Sequence, residues 1–315
     1  MSSKYVFGPI ASRRLGVSLG VDLVNRKTCT QDCPYCEAGW TTNLTLQRAE
    51  YVPVEEVIAE LRNVLSAKPQ LDYITFSGAG EPTLNSKIGE VIKFLKTNYP
   101  QYKVCVLTNG TLLGDAEVAS SLALADLVVP DLDGSNEEEF RIINRPAAGL
   151  TFDHFVDGLK QFCRNYHGLL YLELFVAPGI NDSDASIARF ADIIKELKIT
   201  KVQLNSLDRP GCDNTIKPAN AAIVRKFIAA LEPIVPVEAV GAYRYRSSAL
   251  RGELPTGELC RSILNMAKRR QVTRKDLLEA LQVDDKELEN ALHLLLMRGL
   301  IESEKGERGE FFGFF

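Results

Sequence analysis

The stretch YITFSGAGEPTL, Tyr73–Leu84, reads as a short strand running into a glycine-rich polar loop. Four aromatic or aliphatic and β-branched residues in a row favour extended backbone. Gly78 and Gly80 let the backbone approach a neighbour or ligand closely, and Glu81 places a carboxylate beside them. On either side the pattern is helical. Val54, Val57, Ile58, Leu61, Val64 and Leu65 recur at helical spacing, with Pro53 suited to a first helical turn; Ile88, Val91, Ile92 and Leu95 do the same afterwards.

The alternation continues in both directions. VSLGVDLV (17–24) precedes it, and VCVL (104–107), LVV (127–129), LYLELFV (170–176), KVQL (201–204) and VPVEAV (235–240) follow as strands. Helical stretches are predicted between them over 116–123, 155–166, 187–197 and 223–231. Strand-helix repetition of this kind implies right-handed βαβ units around a parallel sheet. About six units are fewer than a closed eight-fold barrel requires, so an open, curved sheet or partial barrel is expected. In such folds chemistry sits at the C-terminal strand ends. Those ends carry SGAGEPTL, TNGT (108–111), PDLDG (130–134), APGIND (177–182) and NSLDRPG (205–211).

The chain has 315 residues, 45% of them apolar and 25% charged, with net charge −4. That balance provides no global field for nucleic acid or anionic membrane. The N-terminal MSSKYVFGPIASRR lacks a signal-like apolar core, and no run is long enough to span a bilayer. Seven cysteines without an export signal argue for a reducing, cytoplasmic setting rather than a disulfide framework. Three of them fall in CTQDCPYCEAG (29–39), at Cys29, Cys33 and Cys36, spaced C-x3-C-x2-C. A zinc knuckle needs a fourth ligand nearby. Cys105 lies in a predicted strand, Cys163, Cys212 and Cys260 are scattered, and His154, His167 and His293 form no pattern with the trio.

C-x3-C-x2-C after the first strand, SGAGEPTL after the next and TNG after the third together resemble the radical S-adenosylmethionine (SAM) superfamily, over about residues 15–240. More narrowly, GPIASRRLGVSLGVDL, FRIINRP (140–146) and QLNSLDRP (203–210) resemble a cytosolic branch grouped with the wyosine-base synthases of tRNA, many of whose members have no assigned substrate. The resemblance implies a partial (β/α)6 radical SAM barrel and one 4Fe–4S cluster on Cys29, Cys33 and Cys36. The iron without a protein ligand would take the methionine part of SAM. One-electron cleavage would then give a 5′-deoxyadenosyl radical that abstracts a substrate hydrogen. An external reductant of flavodoxin or ferredoxin type is implied as well. Whether the enzyme is an oxidoreductase, a lyase or a transferase stays open, and the catalytic residues are unassigned.

By the same resemblance, Gly78, Ala79, Gly80 and Glu81 would hold the methionine amine. Asn109 would contact ribose or carboxylate, and Asp131 or Asp133 ribose. Tyr35 would lie by the adenine through its backbone, with Ile180 and Asn181 as further candidates. Strand alternation places Tyr171, Glu173 and Phe175 on one face, with Gln203 and Asn205 on the matching face of the next strand, so Glu173 is expected to look into the cavity. Arg13, Arg14, Arg145 and Arg209 suit a substrate carboxylate or phosphate, against the plainer reading as solvated or salt-bridged side chains. Trp40 is expected as packing. The other cysteines show no second cluster spacing, which departs from the wyosine-base synthases.

Composition shifts after RSSALRGELPTGE (246–258). The expected organisation is a barrel over 1–245, a linker over 246–258 and a winged-helix-like domain over 259–315. In that last domain three helices (259–269, 274–281 and 285–298) precede a glycine-turned hairpin, with Thr273 and Asp284 as N-caps. Residues 258–315 hold ten basic and eleven acidic side chains, which lacks the basic footprint of a DNA binder. A small molecule or cofactor precursor is the favoured substrate, ahead of tRNA modification of the wyosine type and then a peptide, with an iron–sulfur redox sensor signalling through the winged helix as a further alternative. No membrane partner is expected.

Overall fold

The structure, a computed structural model, describes residues 4–12, 14–207, 211–213, 215–240, 245–246, 256–267, 271–297, 300–306 and 309–313. Arg13, Arg209 and most of the expected linker lie outside the described residues. The chain divides into two compact units, Met1–Tyr243 and Arg244–Phe315.

The first unit is an α/β sheet. Its strands are β1 (Val6–Ser12), β2 (Gly16–Val21), β5 (Tyr73–Phe76), β6 (Lys103–Thr108), β7 (Leu127–Pro130), β8 (Leu169–Phe175), β9 (Lys201–Asn205) and β10 (Val237–Ala239), side by side in that order. From β2 to β10 all neighbours are parallel. A separate pair, β3 (Thr28–Cys29) and β4 (Asn43–Leu44), is also parallel. This mostly parallel sheet is consistent with a partial barrel.

The helices are α1 (Val54–Ser66), α2 (Ile88–Asn98), α3 (Ala116–Leu122), α4 (Glu137–Ile143), α5 (Phe152–Asn165), α6 (Asp184–Lys195) and α7 (Ala221–Leu231). Of the expected α1 stripe, Val54, Val57, Leu61 and Leu65 are buried while Ile58 and Val64 are half-buried; in α2, Ile88, Val91, Ile92 and Leu95 are all buried. Pro53 stands one residue before α1 rather than inside it. Central strand β7 is buried on both faces, as a strand covered by helices on one side and barrel filling on the other must be.

Several elements lie outside the sequence expectation, among them the two-residue strands β3 and β4, the strand β1 and the helix α4. β1 runs antiparallel to β2, and its pairing is interrupted between Phe7 and Ile10 at Gly8-Pro9, which breaks the alternation a strand is read from. α4 is one short helix with three glutamates in its first turn, capped by Asn136. So few apolar positions give no periodic signal.

The second unit contains β11 (Tyr245–Arg246), α8 (Thr256–Ala267), β12 (Val272–Thr273), α9 (Arg274–Leu281), α10 (Asp285–Met297), β13 (Glu302–Gly306) and β14 (Gly309–Gly313). The hairpin of β13 and β14 is joined by β12 in a three-stranded antiparallel sheet, β12-β14-β13. Thr273 caps α9 through a reciprocal bond with Asp276, and Asp284 Oδ1 accepts from Glu287 N at 2.8 Å. Ile263, Leu277, Leu288 and Ala291 form a fully buried core, with Phe312 packed against it. No helix among the described residues is long and apolar enough to cross a membrane.

Candidate active site

The thiols of the C-x3-C-x2-C stretch owe their placement to a loop closed on itself. β3 pairs with β4 across residues 30–42. Within that loop Thr41 N donates to Asp32 Oδ1 at 2.7 Å, and Thr41 Oγ1 to Gln31 O at 2.7 Å. Cys36 N donates to Cys33 O at 3.1 Å, and Gly39 N to Cys36 O at 3.3 Å. The loop after β5 is pressed onto the start of this one. A Cβ at Gly80 would lie 1.8 Å from Thr28 O, so no larger residue allows the approach. Gly78 has φ +138, and Ala79 N donates to Asp22 Oδ2 at 2.9 Å.

One cavity of about 270 Å³ is lined by Cys29, Cys33 and Cys36, by Tyr35, by Ser77, Gly78, Gly80 and Glu81, by Thr108 and Asn109, and by Arg14, Lys27, Asp131 and Glu173 among others. It lies at the C-terminal strand ends. Burial, with Glu81 adding to it, pushes the Cys29 thiol up to about 12, and burial raises Cys33 as well. Lys27, two residues before Cys29, is 3% exposed. Its Nζ donates to Gly39 O at 2.7 Å, and it shares the cavity lining with Cys29, Cys33 and Cys36, whose nearby charges favour the ammonium against its burial.

Glu81 is fully used by the protein itself. Its Oε1 accepts from Thr83 N (3.0 Å), Thr83 Oγ1 (2.6 Å) and Thr108 Oγ1 (2.7 Å), and its Oε2 from Asn109 N (2.8 Å). The carboxylate therefore joins the glycine loop to the end of β6. Asn109 Nδ2 donates to Thr30 Oγ1 at 2.7 Å and toward Cys29 Sγ at 3.5 Å, while its Oδ1 accepts from Thr111. Glu173 does look into the cavity, where it pairs with Arg14 and accepts from Asn205 Nδ2 at 2.7 Å. Burial raises the Asp131 carboxyl, Asp133 adds to that, and Arg14 acts in the opposite direction.

Other candidates are placed differently. Asp133 does not line the cavity; it is an internal tie, accepting from Tyr35 Oη (2.5 Å), Asn144 Nδ2 (2.7 Å) and Phe175 N (3.0 Å). Tyr35 stacks on Phe175 with ring centroids 4.0 Å apart, and Ile180 packs against the buried cluster that contains Phe175. Asn181 is fully buried and holds the turn after β8, donating to Asp133 O and Phe175 O and accepting from Ala177 N. Gln203 bonds Glu238 rather than Glu173. Arg145 is outside the cavity, in an ion pair with Asp213 at 3.2 Å and 5.2 Å from the centroid of Trp40. Trp40, expected as packing, is 44% exposed. Lys27, Thr30, Gln31, Thr108 and Asn144 surround the thiols without having been singled out. Thr30 and Gln31 lie inside the cysteine stretch and Thr108 opens TNGT, whereas for Lys27 the only sequence signal is its place two residues before Cys29 and for Asn144 there is none near the cysteines.

The donor set fits an iron–sulfur cluster better than a single ion. No three His, Cys, Asp or Glu side chains among the described residues converge on one metal position. Three soft thiols spread around a cavity match a group that presents several irons. The Radical SAM superfamily matches residues 27–191, just over half of the chain. The chain belongs to the radical SAM superfamily.

Radical SAM enzymes use a 4Fe–4S cluster and SAM, and act on a substrate with a reductant. The chain is 40% identical over 222 residues to a Brachyspira hyodysenteriae protein named GTPase Obg, covering 70% of this chain but only 32% of that protein. It is 32% identical to a UPF0026 protein of Methanocaldococcus jannaschii, covering 73% of this chain and 71% of that relative. Among solved structures, a radical SAM methyltransferase from Sphaerobacter thermophilus superposes with TM-score 0.57 at 17% identity, over 70% of this chain and 66% of that one. That likeness concerns the fold.

Proposed function

We propose that the first unit holds a 4Fe–4S cluster on Cys29, Cys33 and Cys36 and SAM along Gly78–Glu81 and Asn109, and abstracts a hydrogen from a small molecule or cofactor precursor. The observation that carries this reading is the single cavity shared by the three thiols, the glycine loop and the end of β6. When bound and reduced, the cluster supplies the electron that opens the sulfonium of SAM.

The chain's own residues orient and enclose. Glu81, saturated by four donors, fixes the loop whose backbone would face the methionine amine, so we assign it a positioning role. Asn109 couples that loop to the Cys29 side through Thr30. Asp133 and Asn181 hold the rim rigid from behind, with Tyr35 packed on Phe175. Arg14, Asp131 and Glu173 line the same cavity, where ribose or substrate would sit. Because Arg14 is already neutralised by Glu173, a strongly anionic substrate would have to displace that pair. We also propose 246–258 as a linker and 259–315 as a winged-helix-like module, supported by three helices followed by a hairpin. The balanced charge of that module favours a small substrate over tRNA.

The test is anaerobic reconstitution with iron and sulfide, reduction by dithionite and addition of SAM. The expected product is 5′-deoxyadenosine plus methionine. A purified protein that holds zinc, takes up no iron and releases no deoxyadenosine with any substrate mixture defeats the proposal. Iron uptake and reversible reduction with no SAM binding would instead favour a redox sensor.

A further inference from the structure

We propose that Lys27 sets the reduction potential of the iron–sulfur site, as a fixed positive charge in the cavity that the three thiols line. The inference rests on the cluster assignment above. Lysines are almost never fully buried without a charge partner, yet Lys27 is 3% exposed. Among the described residues it forms no ion pair with a carboxylate. Its one oxygen partner is the neutral carbonyl of Gly39, at 2.7 Å. An ammonium has three donors, and this one opens into the cavity that the three cysteines line. The anionic groups that would compensate it are the cysteine sulfurs.

The charge is also held still. Lys27 N donates to Thr42 Oγ1 at 2.8 Å, and Lys27 O accepts from Thr42 N and Asn43 N, both at 3.0 Å. The same Gly39 that fixes Nζ donates its own N–H to Cys36 O. Backbone and side chain are thus pinned to the loop that carries the ligands. Cluster potentials follow net charge, hydrogen bonds to sulfur and solvent exposure. Adding an electron makes the site more negative, so a cation at this position stabilises the reduced state and raises the potential.

The experiment compares wild type with Lys27→Met, Lys27→Gln and Lys27→Arg after reconstitution. Iron and sulfide per chain are measured first, then the midpoint by spectroscopically monitored potentiometric titration. Lys27→Met with full iron is expected to shift the reduction equilibrium at least tenfold toward the oxidised form, about 59 mV more negative for one electron. Lys27→Gln keeps a donor without the charge and should fall between, and Lys27→Arg should lie near wild type. A full complement of iron at the wild-type midpoint in Lys27→Met overturns the proposal. So does a folded Lys27→Met that loads no iron, since Lys27 would then build the site rather than tune it. If Lys27→Met does not fold, Lys27→Gln carries the same comparison. A wild-type chain that takes up no iron refutes the cluster assignment instead, and that failure is recognised before any titration.

Discussion

Glu81 and the cysteines show how much single atoms decide here. Four donors converge on the Glu81 carboxylate inside a buried site. Glu81→Gln replaces one acceptor oxygen by a donor group, leaving at least one of them facing an N–H. The cost is about 1–3 kcal/mol for an unsatisfied buried donor. Chemical denaturation should read that loss, with a drop in SAM affinity if the loop is mispositioned. Among the cysteines, Cys36 lines the cavity while Cys212 does not; its Sγ donates to the carbonyls of Cys33 (3.5 Å) and Cys36 (3.3 Å). Cys36→Ala should therefore abolish the cluster absorbance and deoxyadenosine release, whereas Cys212→Ala should keep both. Iron content together with product analysis checks the pair, and loss of iron in Cys212→Ala would make it a ligand.

At the scale of elements, the site depends on contacts between loops that are far apart in sequence. Gly80 meets Thr28 backbone to backbone, so Gly80→Ala must push the loop after β5 away from β3. A strain of about 1–3 kcal/mol is expected for such overpacking, with reduced iron per chain as the readout. Behind the rim, Glu139 of α4 accepts from Ser186 Oγ at 2.6 Å and pairs with Arg189 of α6 at 3.0 Å. Burial pushes its carboxyl up, but Ser186, Ser135 and Arg189 outweigh that and hold it below the usual range. A depressed folded pKa contributes stability that is fully present above the unfolded value, about 4.3, and is lost as pH falls through the folded one. Wild type should thus exceed Glu139→Gln in stability at neutral pH, and the difference should vanish in acid. An acid-range denaturation series of both proteins checks it; a constant difference across that range would remove Glu139 from the linkage.

For the whole molecule, two compact units with separate cores make a single two-state unfolding event the wrong description. Leu288 is fully buried in the second unit. Leu288→Ala should destabilise that unit by about 2–5 kcal/mol, seen as faster hydrogen exchange in α10. Iron loading of the first unit is expected to be unchanged. Loss of iron in this variant would show that the units are energetically coupled.

The sequence by itself determined the strand and helix order and the apolar stripes of α1 and α2. It also determined the chemistry at the strand ends: three cysteines without a fourth, and a glycine loop ending in Glu81. These are local signals, because period, turn residues and ligand spacing are written in consecutive positions. It did not reveal β1, where Gly8-Pro9 interrupts the pattern, or α4, too short to show a period. Nor could it assign directions to polar side chains that look alike on paper. Asp131 faces the cavity while Asp133, two residues on, ties Tyr35, Asn144 and Phe175 together. Lys27 reads as one more surface lysine until the loop closes over it. Which donors reach a buried carboxylate, and which cation is left beside the thiols, depends on residues brought together from all along the first unit. Only tertiary structure decides that, since a hydrogen bond or a buried charge is settled by distance and loss of water rather than by neighbours in the chain.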